Sequence, residues 1–233
     1  MDILFIASNR QEFTRASLTT LLRTLRPEDR LVVYIDKDIS NSEEFIRPRL
    51  RPQDVVRITD FGSPVAVMNN YISNTPDGSP IFAKVDNDLI VCPYWLEATL
   101  EAMERYPEFE LVGIEPFSTQ PQWGGNEIVG TDHIGGIGLM RRSAFINRPR
   151  PTANGRFGFT EWQYATPQVK CGWMTPPLPV FLLDHLPWSP WKELSVEYLQ
   201  KQWQRRPWGD YGEAYWELWS WWKDTEYERE AIG

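Results

Sequence analysis

Cysteine is nearly absent. Cys92 and Cys171 are the only two among 233 residues, and they make neither a C-x-x-C nor a metal-binding spacing. A disulfide framework is not expected, and a reducing compartment is. Excess positive charge is also missing: the formal net charge is −8, so nothing draws the whole chain toward nucleic acid or anionic lipid. No apolar run approaches the ~20 residues that span a bilayer. Met1-Asp2-Ile3-Leu4-Phe5-Ile6-Ala7 has no basic stretch before its short apolar run, which is the pattern of a first strand rather than a signal peptide. A soluble, cytoplasmic protein is expected (host cytoplasm if the source is viral), with no membrane insertion. No internal repeat is visible. What the chain has in abundance is tryptophan: of 12, 8 follow Pro187, which sets the C-terminal part apart from the rest.

In chain order, residues 2–7 read as a strand and Ser8-Asn9-Arg10 as a polar loop. Residues 12–25 form a helix with Leu18, Leu21, Leu22 and Leu25 on one face, ended by Pro27. Residues 31–35 are a second strand closing on Asp36 and Asp38, and 54–59 a short third. Ser63-Pro64 opens a helix with a cap residue and a proline at its first position, placing Val65, Met68 and Ile72 inward. A strand at 81–85 follows, then a helix from Pro93 carrying Leu96, Leu100 and Met103, then a strand at 110–114. This alternation predicts a parallel, doubly wound α/β sheet. Residues 115–158 are rich in Gly, Pro and polar side chains and are expected to build pocket loops, with one strand-like piece at 136–140. A last strand is expected at 178–183, and helices at 193–205 and 210–228.

The strand at 81–85 is the centre of this pattern because it ends in two carboxylates, Asp86 and Asp88, spaced i, i+2. Ligands of open α/β sheets bind beyond the carboxyl ends of the strands. Two hard oxygen donors there suit Mg²⁺ or Mn²⁺; the same pair also fits a solvated acidic turn. Lys84 points to the same side as Asp86, either to hold a phosphate or sugar or to balance the acids. Asp36, with Asp38 as its competitor, sits where such sheets contact a base or ribose. Asn9 and Arg10 would line the same crevice. Gly135, Gly136 and Gly138 allow backbone to approach a ligand, or make a tight bend. His185, at a strand end, is a possible Mn²⁺ ligand or a packed ring. His133 is a loop residue within reach of an acceptor or sugar, or a plain loop histidine. The stretch 141–156 carries Arg141, Arg142, Arg148, Arg150 and Arg156 with no acid, which suits an anionic acceptor or a solvated loop. Tyr211, Tyr215, Leu218, Trp219 and Trp222 share a helix face that would pack on the first part of the chain or on a second copy. Trp216 or Trp221 could stack on sugars or bases.

Four segments, in order, resemble the GT-A glycosyltransferases, in particular the small family-2-like enzymes that use nucleotide sugars. Lys84-Val85-Asp86-Asn87-Asp88 with Cys92-Pro93-Tyr94-Trp95-Leu96-Glu97 resembles their D-x-D strand and following helix. Gly135-Gly136-Ile137-Gly138-Leu139-Met140-Arg141-Arg142-Ser143-Ala144-Phe145 resembles their glycine-rich segment. Gly158-Phe159-Thr160-Glu161-Trp162 resembles the x-E-D segment of the catalytic carboxylate, with Trp162 where many members have Asp. Leu183-Asp184-His185-Leu186 resembles the late histidine that joins the metal.

The resemblance implies a GT-A (Rossmann-like, mostly parallel) catalytic domain over residues 1–186. Residues 1–115 would bind the nucleotide sugar and 116–186 the acceptor, with a Trp-rich helical extension at 187–233. It implies sugar transfer from a nucleoside-diphosphate donor, uridine-linked by expectation, to an acceptor hydroxyl, with inversion. Asp86, Asp88 and His185 would hold Mn²⁺ or Mg²⁺. Asn9, Arg10, Asp36, Lys84, Asp86, Gly135 and Gly136 would contact the donor. Glu161 would take the acceptor proton, its pKa raised by neighbouring Phe159 and Trp162. His133, Trp123, Trp162, Arg141 and Arg142 would meet the acceptor, either a glycan or a hydroxymethylated pyrimidine of virus-type DNA flipped into an aromatic pocket. A non-catalytic nucleotide- or glycan-binding module on the same fold is the rival of another class. A nucleotidyltransferase is a further one, although Ser8-Asn9-Arg10-Gln11 has no glycine for a phosphate loop. The oligomeric state is left open.

Overall fold

The computed structural model describes residues 1–8, 11–61, 63–91, 95–114, 128–146, 163, 166–174 and 181–182. In chain order the elements are β1 (Asp2–Ala7), α1 (Gln11–Thr24), β2 (Arg30–Asp36), α2 (Glu43–Ile46), β3 (Val55–Thr59), α3 (Pro64–Asn74), β4 (Ile81–Asp86), β5 (Leu89–Ile90), α4 (Trp95–Arg105), β6 (Leu111–Ile114), β7 (Ile128–Thr131), β8 (Ile137–Arg141), α5 (Ser143–Ile146), β9 (Cys171–Met174) and β10 (Phe181–Leu182). Short 3₁₀ turns, Lys37–Ser42 and Arg47–Arg49, flank α2.

Eight strands form one sheet in the order β3-β2-β1-β4-β8-β6-β9-β7. β3, β2, β1 and β4 are parallel neighbours, and β6 and β9 run the same way. β8 and β7 run against them. β1, β2 and β4 are apolar along most of their length because helices cover both faces, with Lys84 of β4 the buried exception. Ile3, Phe5, Val33, Ala83 and Val85 pack under α1 and α4, against Phe13, Leu18, Trp95, Leu96 and Met103. Leu4, Ile6, Val32, Tyr34 and Phe82 pack under α3 and α5, against Met68, Tyr71, Ala144 and Phe145. The period of two along each strand sends alternate residues to the two layers.

The amino edge of the sheet is clamped by a local motif that occurs twice. Arg26-Pro27-Glu28-Asp29 precedes β2, and Arg51-Pro52-Gln53-Asp54 precedes β3. In the first, the Arg26 amide and Nε both donate to Asp29 Oδ2 at 3.0 Å, and Nη2 donates to Oδ1 at 2.8 Å. In the second, the Arg51 amide and Nε donate to Asp54 Oδ2 at 2.9 and 3.1 Å, and Nη2 to Oδ1 at 3.0 Å. Arg51 then ties the two loops together by donating to the carbonyls of Arg26 and Asp29 at 2.8 and 2.7 Å. The Met1 ammonium also reaches Asp29, at 3.2 Å.

The structure departs from the sequence-based expectations in two places. The expected cap residue, Ser63, has extended backbone before α3, but its side chain makes no cap bond, and Pro64 supplies the helix start instead. The region after residue 115 contributes β7 and β9 to the main sheet besides the expected β8; Ile128-Val129-Gly130-Thr131 and Cys171-Gly172-Trp173-Met174 are short and interrupted by glycine, so they lack a strand signature. Of the strand expected at 178–183, the described residues Phe181 and Leu182 are strand, β10, paired antiparallel with β5 outside the main sheet; 178–180 and 183 lie outside the described residues. The helices expected at 193–205 and 210–228 lie outside the described residues. Among the described residues, no helix is long and apolar enough to cross a membrane.

Candidate functional site

The parallel strands all end on one edge of the sheet. There β1 delivers Ser8, β2 delivers Asp36, and β4 delivers Asp86. β8, running the other way, starts at Ile137 opposite Val85.

The turn after β4 is built into the body of the protein. Asn87, 4% exposed, donates from Nδ2 to the Ser8 carbonyl and to Thr14 Oγ1, both at 2.7 Å. It thus ties the turn to the end of β1 and the first turn of α1. Ser17 Oγ donates to the Asp86 carbonyl at 3.3 Å. The Asp86 amide donates to the Gly136 carbonyl at 2.9 Å, joining the turn to the start of β8. With Asn87 turned inward, Asp86 and Asp88 on either side are half-buried at the edge. Thr14, Ser17 and Asn87 carry no functional signal in the sequence, since a polar residue between two acids reads as a solvated turn.

Lys84 is 1% exposed. Its ammonium lies 2.7 Å from Asp86 Oδ1 and 3.4 Å from the Gly136 carbonyl. Asp86 Oδ1 is itself buried and accepts no well-angled hydrogen bond, so this contact is one of charge. Of the alternatives open for Lys84, balancing the acid is what the geometry displays. Asp86 Oδ2 lies against Gly136, where a β-carbon would come within 3.0 Å of it. The close approach that Gly136 permits is therefore to the carboxylate. Gly135 lies against the Trp173 ring instead, 3.3 Å from where its β-carbon would be.

Residues 132–136 carry the chain from the end of β7 across the face of β9 and β6 to the start of β8. Gly113 and Gly138 make that path possible. A β-carbon on Gly113 would lie 2.7 Å from both Ile134 Cβ and the Trp173 ring, and one on Gly138 2.5 Å from the Val112 carbonyl. His133 sits on this crossing, its Nδ1 2.6 Å from Asp132 Oδ1 and its ring edge-on to Trp173. The His133 contact with Asp132 is the largest cause holding that carboxyl below its ordinary range. Buried Gln163 grips Ile134 on both sides: its Oε1 accepts from the Ile134 amide at 2.7 Å and its Nε2 donates to the Ile134 carbonyl at 3.1 Å. The chain two residues beyond Glu161 is thus fixed to the loop that ends at Gly136. No sequence motif pointed to Gln163.

Asp36 ends β2, two strands from Asp86 and so about 10 Å away across the sheet. The structure does not bring Arg141 and Arg142 to this edge. Antiparallel pairing sets Arg141 opposite Ile81, at the far end of β4, about 16 Å from Asp86. Arg141 donates to the carbonyls of Phe109 and Met103 at 3.1 and 2.8 Å. Arg142 is buried, bonds the Thr75 hydroxyl at 2.7 Å and lies over the Tyr71 ring. Both arginines therefore serve the opposite edge. Asn9, Arg10, Trp123, Glu161, Trp162 and His185 lie outside the described residues.

Among the described residues, no three His, Cys, Asp or Glu side chains converge. The donor set of Asp86 and Asp88 still fits a hard divalent cation: both are half-buried carboxylates two residues apart at one turn.

No protein-family model matches the chain, and no curated protein matches it in sequence. Among solved structures it is similar to the crystal structure of S. aureus TarS 1-349, with a TM-score of 0.54 and 15% identity over 78% of this chain and 60% of that one. The chain thus spans less than two thirds of that structure's length. At this identity the likeness concerns the fold, which is GT-A-like: mixed α/β around a mostly parallel central sheet.

Proposed function

We propose that the protein is a metal-dependent glycosyltransferase that moves a sugar from a nucleoside-diphosphate donor to an acceptor hydroxyl. The observation that carries this reading is the Asp86-Asn87-Asp88 turn, anchored through Asn87 to β1 and α1 and through Asp86 to Gly136, at the carboxyl edge of a GT-A-like sheet. In this reading Asp36, with Asn9 and Arg10 beside it, receives the nucleoside, uridine by preference. Gly135 and Gly136 border the phosphates. Asp88, Asp86 and His185 would hold Mn²⁺ or Mg²⁺, which would supply charge compensation for the departing diphosphate.

The chain's own groups do the rest. The acceptor oxygen forms its bond to the anomeric carbon as the bond to the diphosphate breaks, and Glu161 takes the acceptor's proton. A single displacement of this kind inverts the anomeric centre. Trp123 and Trp162 line the acceptor side in this reading; Arg141 and Arg142 do not, because they serve the opposite edge. With that pair removed, a saccharide hydroxyl is the preferred acceptor over modified DNA.

A thermal-shift screen of nucleoside diphosphates and their sugars, with and without Mn²⁺, tests the donor half. A uridine-diphosphate compound should stabilise the protein only when Mn²⁺ is present, and Asp88→Ala should lose that response. A response that survives Asp88→Ala removes the metal assignment. Nucleoside-diphosphate release should then rise with a saccharide acceptor and not with hydroxymethylated DNA. Tight donor binding with no turnover across acceptors would instead favour a binding module.

A further inference from the structure

Lys84 places a full positive charge inside the sheet at the very spot where the donor site gathers its negative charge. The ammonium has a polar setting of its own: Asp86 Oδ1 at 2.7 Å, the Gly136 carbonyl at 3.4 Å, and almost no exposure to water. A lysine so placed is held by its partners, since burying the charge unpaired is costly. Two half-buried acids at one turn carry two negative charges. Lys84 cancels one of them before any ligand arrives.

We infer that Lys84 is the resident counter-charge of the donor site and that it makes divalent-ion binding depend on the nucleotide. The inference rests on the donor-site reading above and goes beyond it in naming what sets the order of binding. In the ligand-free protein an incoming Mn²⁺ meets the Asp86 carboxylate already set against a buried ammonium, which weakens its pull on the ion. Asp86 Oδ1 is already taken, so the ion leans on Asp88 and on Asp86 Oδ2. A diphosphate brings the negative charge that Lys84 has removed. The ion and the donor therefore enter together, and the free protein holds the ion weakly.

Mn²⁺ titration of the full chain by calorimetry, without nucleotide, tests it. Lys84→Met keeps the apolar stem and removes the charge. Removing a unit charge this close to a divalent ion should tighten Mn²⁺ binding roughly tenfold or more. The variant should also melt lower than the parent in chelator and regain that loss when Mn²⁺ is added. Lys84→Gln keeps a donor for the Gly136 carbonyl and carries the same expectation if Lys84→Met does not fold. Lys84→Arg, which keeps the charge, should bind Mn²⁺ as the parent does. Unchanged or weaker Mn²⁺ binding in the uncharged variants would overturn the inference, as would equal tightening in Lys84→Arg, which would make shape the cause. Uridine diphosphate plus Mn²⁺ on the parent protein separates the two levels. If the parent binds the pair while the uncharged variants leave ion affinity unmoved, the inference alone fails. If the parent binds neither, the donor-site reading fails and the inference falls with it.

Discussion

Single residues at the carboxyl edge do two different jobs. Asp86 and Asp88 present charge, and Asn87 between them holds the turn in place. Asn87→Ala removes donors from the Ser8 carbonyl and from Thr14 Oγ1 in a site closed to water. Leaving such groups unserved costs about 1–3 kcal/mol each, so the melting temperature should fall. Because the turn loses its tie to β1, affinity for Mn²⁺ and nucleotide should fall as well, by tenfold or so. Loss of stability at unchanged nucleotide affinity, measured by calorimetry on the folded variant, would reduce Asn87 to a packing residue. Cys171 illustrates the opposite case, a reactive side chain made inert. Burial first, then the Glu110 and Asp132 carboxylates, push its thiol up to about 12. At pH 8 it is almost wholly protonated and shielded, so iodoacetamide should leave the Cys171 peptide unmodified in the native protein and label it in denaturant. Labelling of native Cys171 within minutes would contradict its burial.

At the level of elements, the site depends on a crossing that its own strands make possible. The run from β7 to β8 passes over β6 and β9 only because Gly113 and Gly138 carry no side chain. Gly113→Ala would push a methyl group into Ile134 and Trp173. Overpacking of this kind costs about 1–3 kcal/mol. It would also shift the loop that ends at Gly136 against Asp86, so nucleotide affinity should drop along with stability. Gly130→Ala, exposed and with its nearest neighbour 3.9 Å away, is the matched control and should change neither. Equal effects from the two substitutions would deny the crossing any special part. The same elements mark what the sequence could and could not reveal. β1 and β2 were legible because each is a continuous apolar run closed by a polar residue, β4 because only Lys84 breaks its run before Asp86, and the helices because their apolar residues recur at helical spacing. β7 and β9 were not, because four residues with a central glycine gain their strand geometry from distant partners rather than from local preference. Asp86 and Asp88 were legible as a strand-end pair. Gln163 was not, since a buried amide that grips a backbone segment leaves no periodicity behind. Arg141 and Arg142 were not placed by the sequence either, since two adjacent arginines do not disclose which end of β8 they occupy.

At the scale of the whole sheet, the two edges carry different chemistry. Its carboxyl edge carries the Asp86–Asp88 turn, and its amino edge carries the ionic clamps of Asp2, Asp29 and Asp54. Burial raises the Asp29 carboxyl, but the bonds from Arg26 and the Met1 ammonium outweigh it and hold the group below its ordinary range. Asp2 is raised by burial in the same way and lowered further by its bonds from Arg30 and Tyr71. A carboxyl whose folded pKa lies below its unfolded value near 3.8 stabilises the fold fully above that value. That contribution is lost as pH falls through the lower, folded value. Stability against urea should therefore hold steady from pH 7 to about 5 and decline below about 4. Asp29→Asn, which keeps the shape of a fully buried side chain but removes its charge, should lower stability at pH 7 by on the order of 2–4 kcal/mol. Its decline below pH 4 should be shallower than the parent's, because one of the depressed carboxyls is gone. Since the clamp sits at the far end of the strands from Asp86, affinity of the folded variant for Mn²⁺ and nucleotide at pH 7 should match the parent's. A variant that keeps the parent's acid slope would remove Asp29 from the acid response. One that loses nucleotide affinity while still folded would show that the two edges are coupled through the sheet.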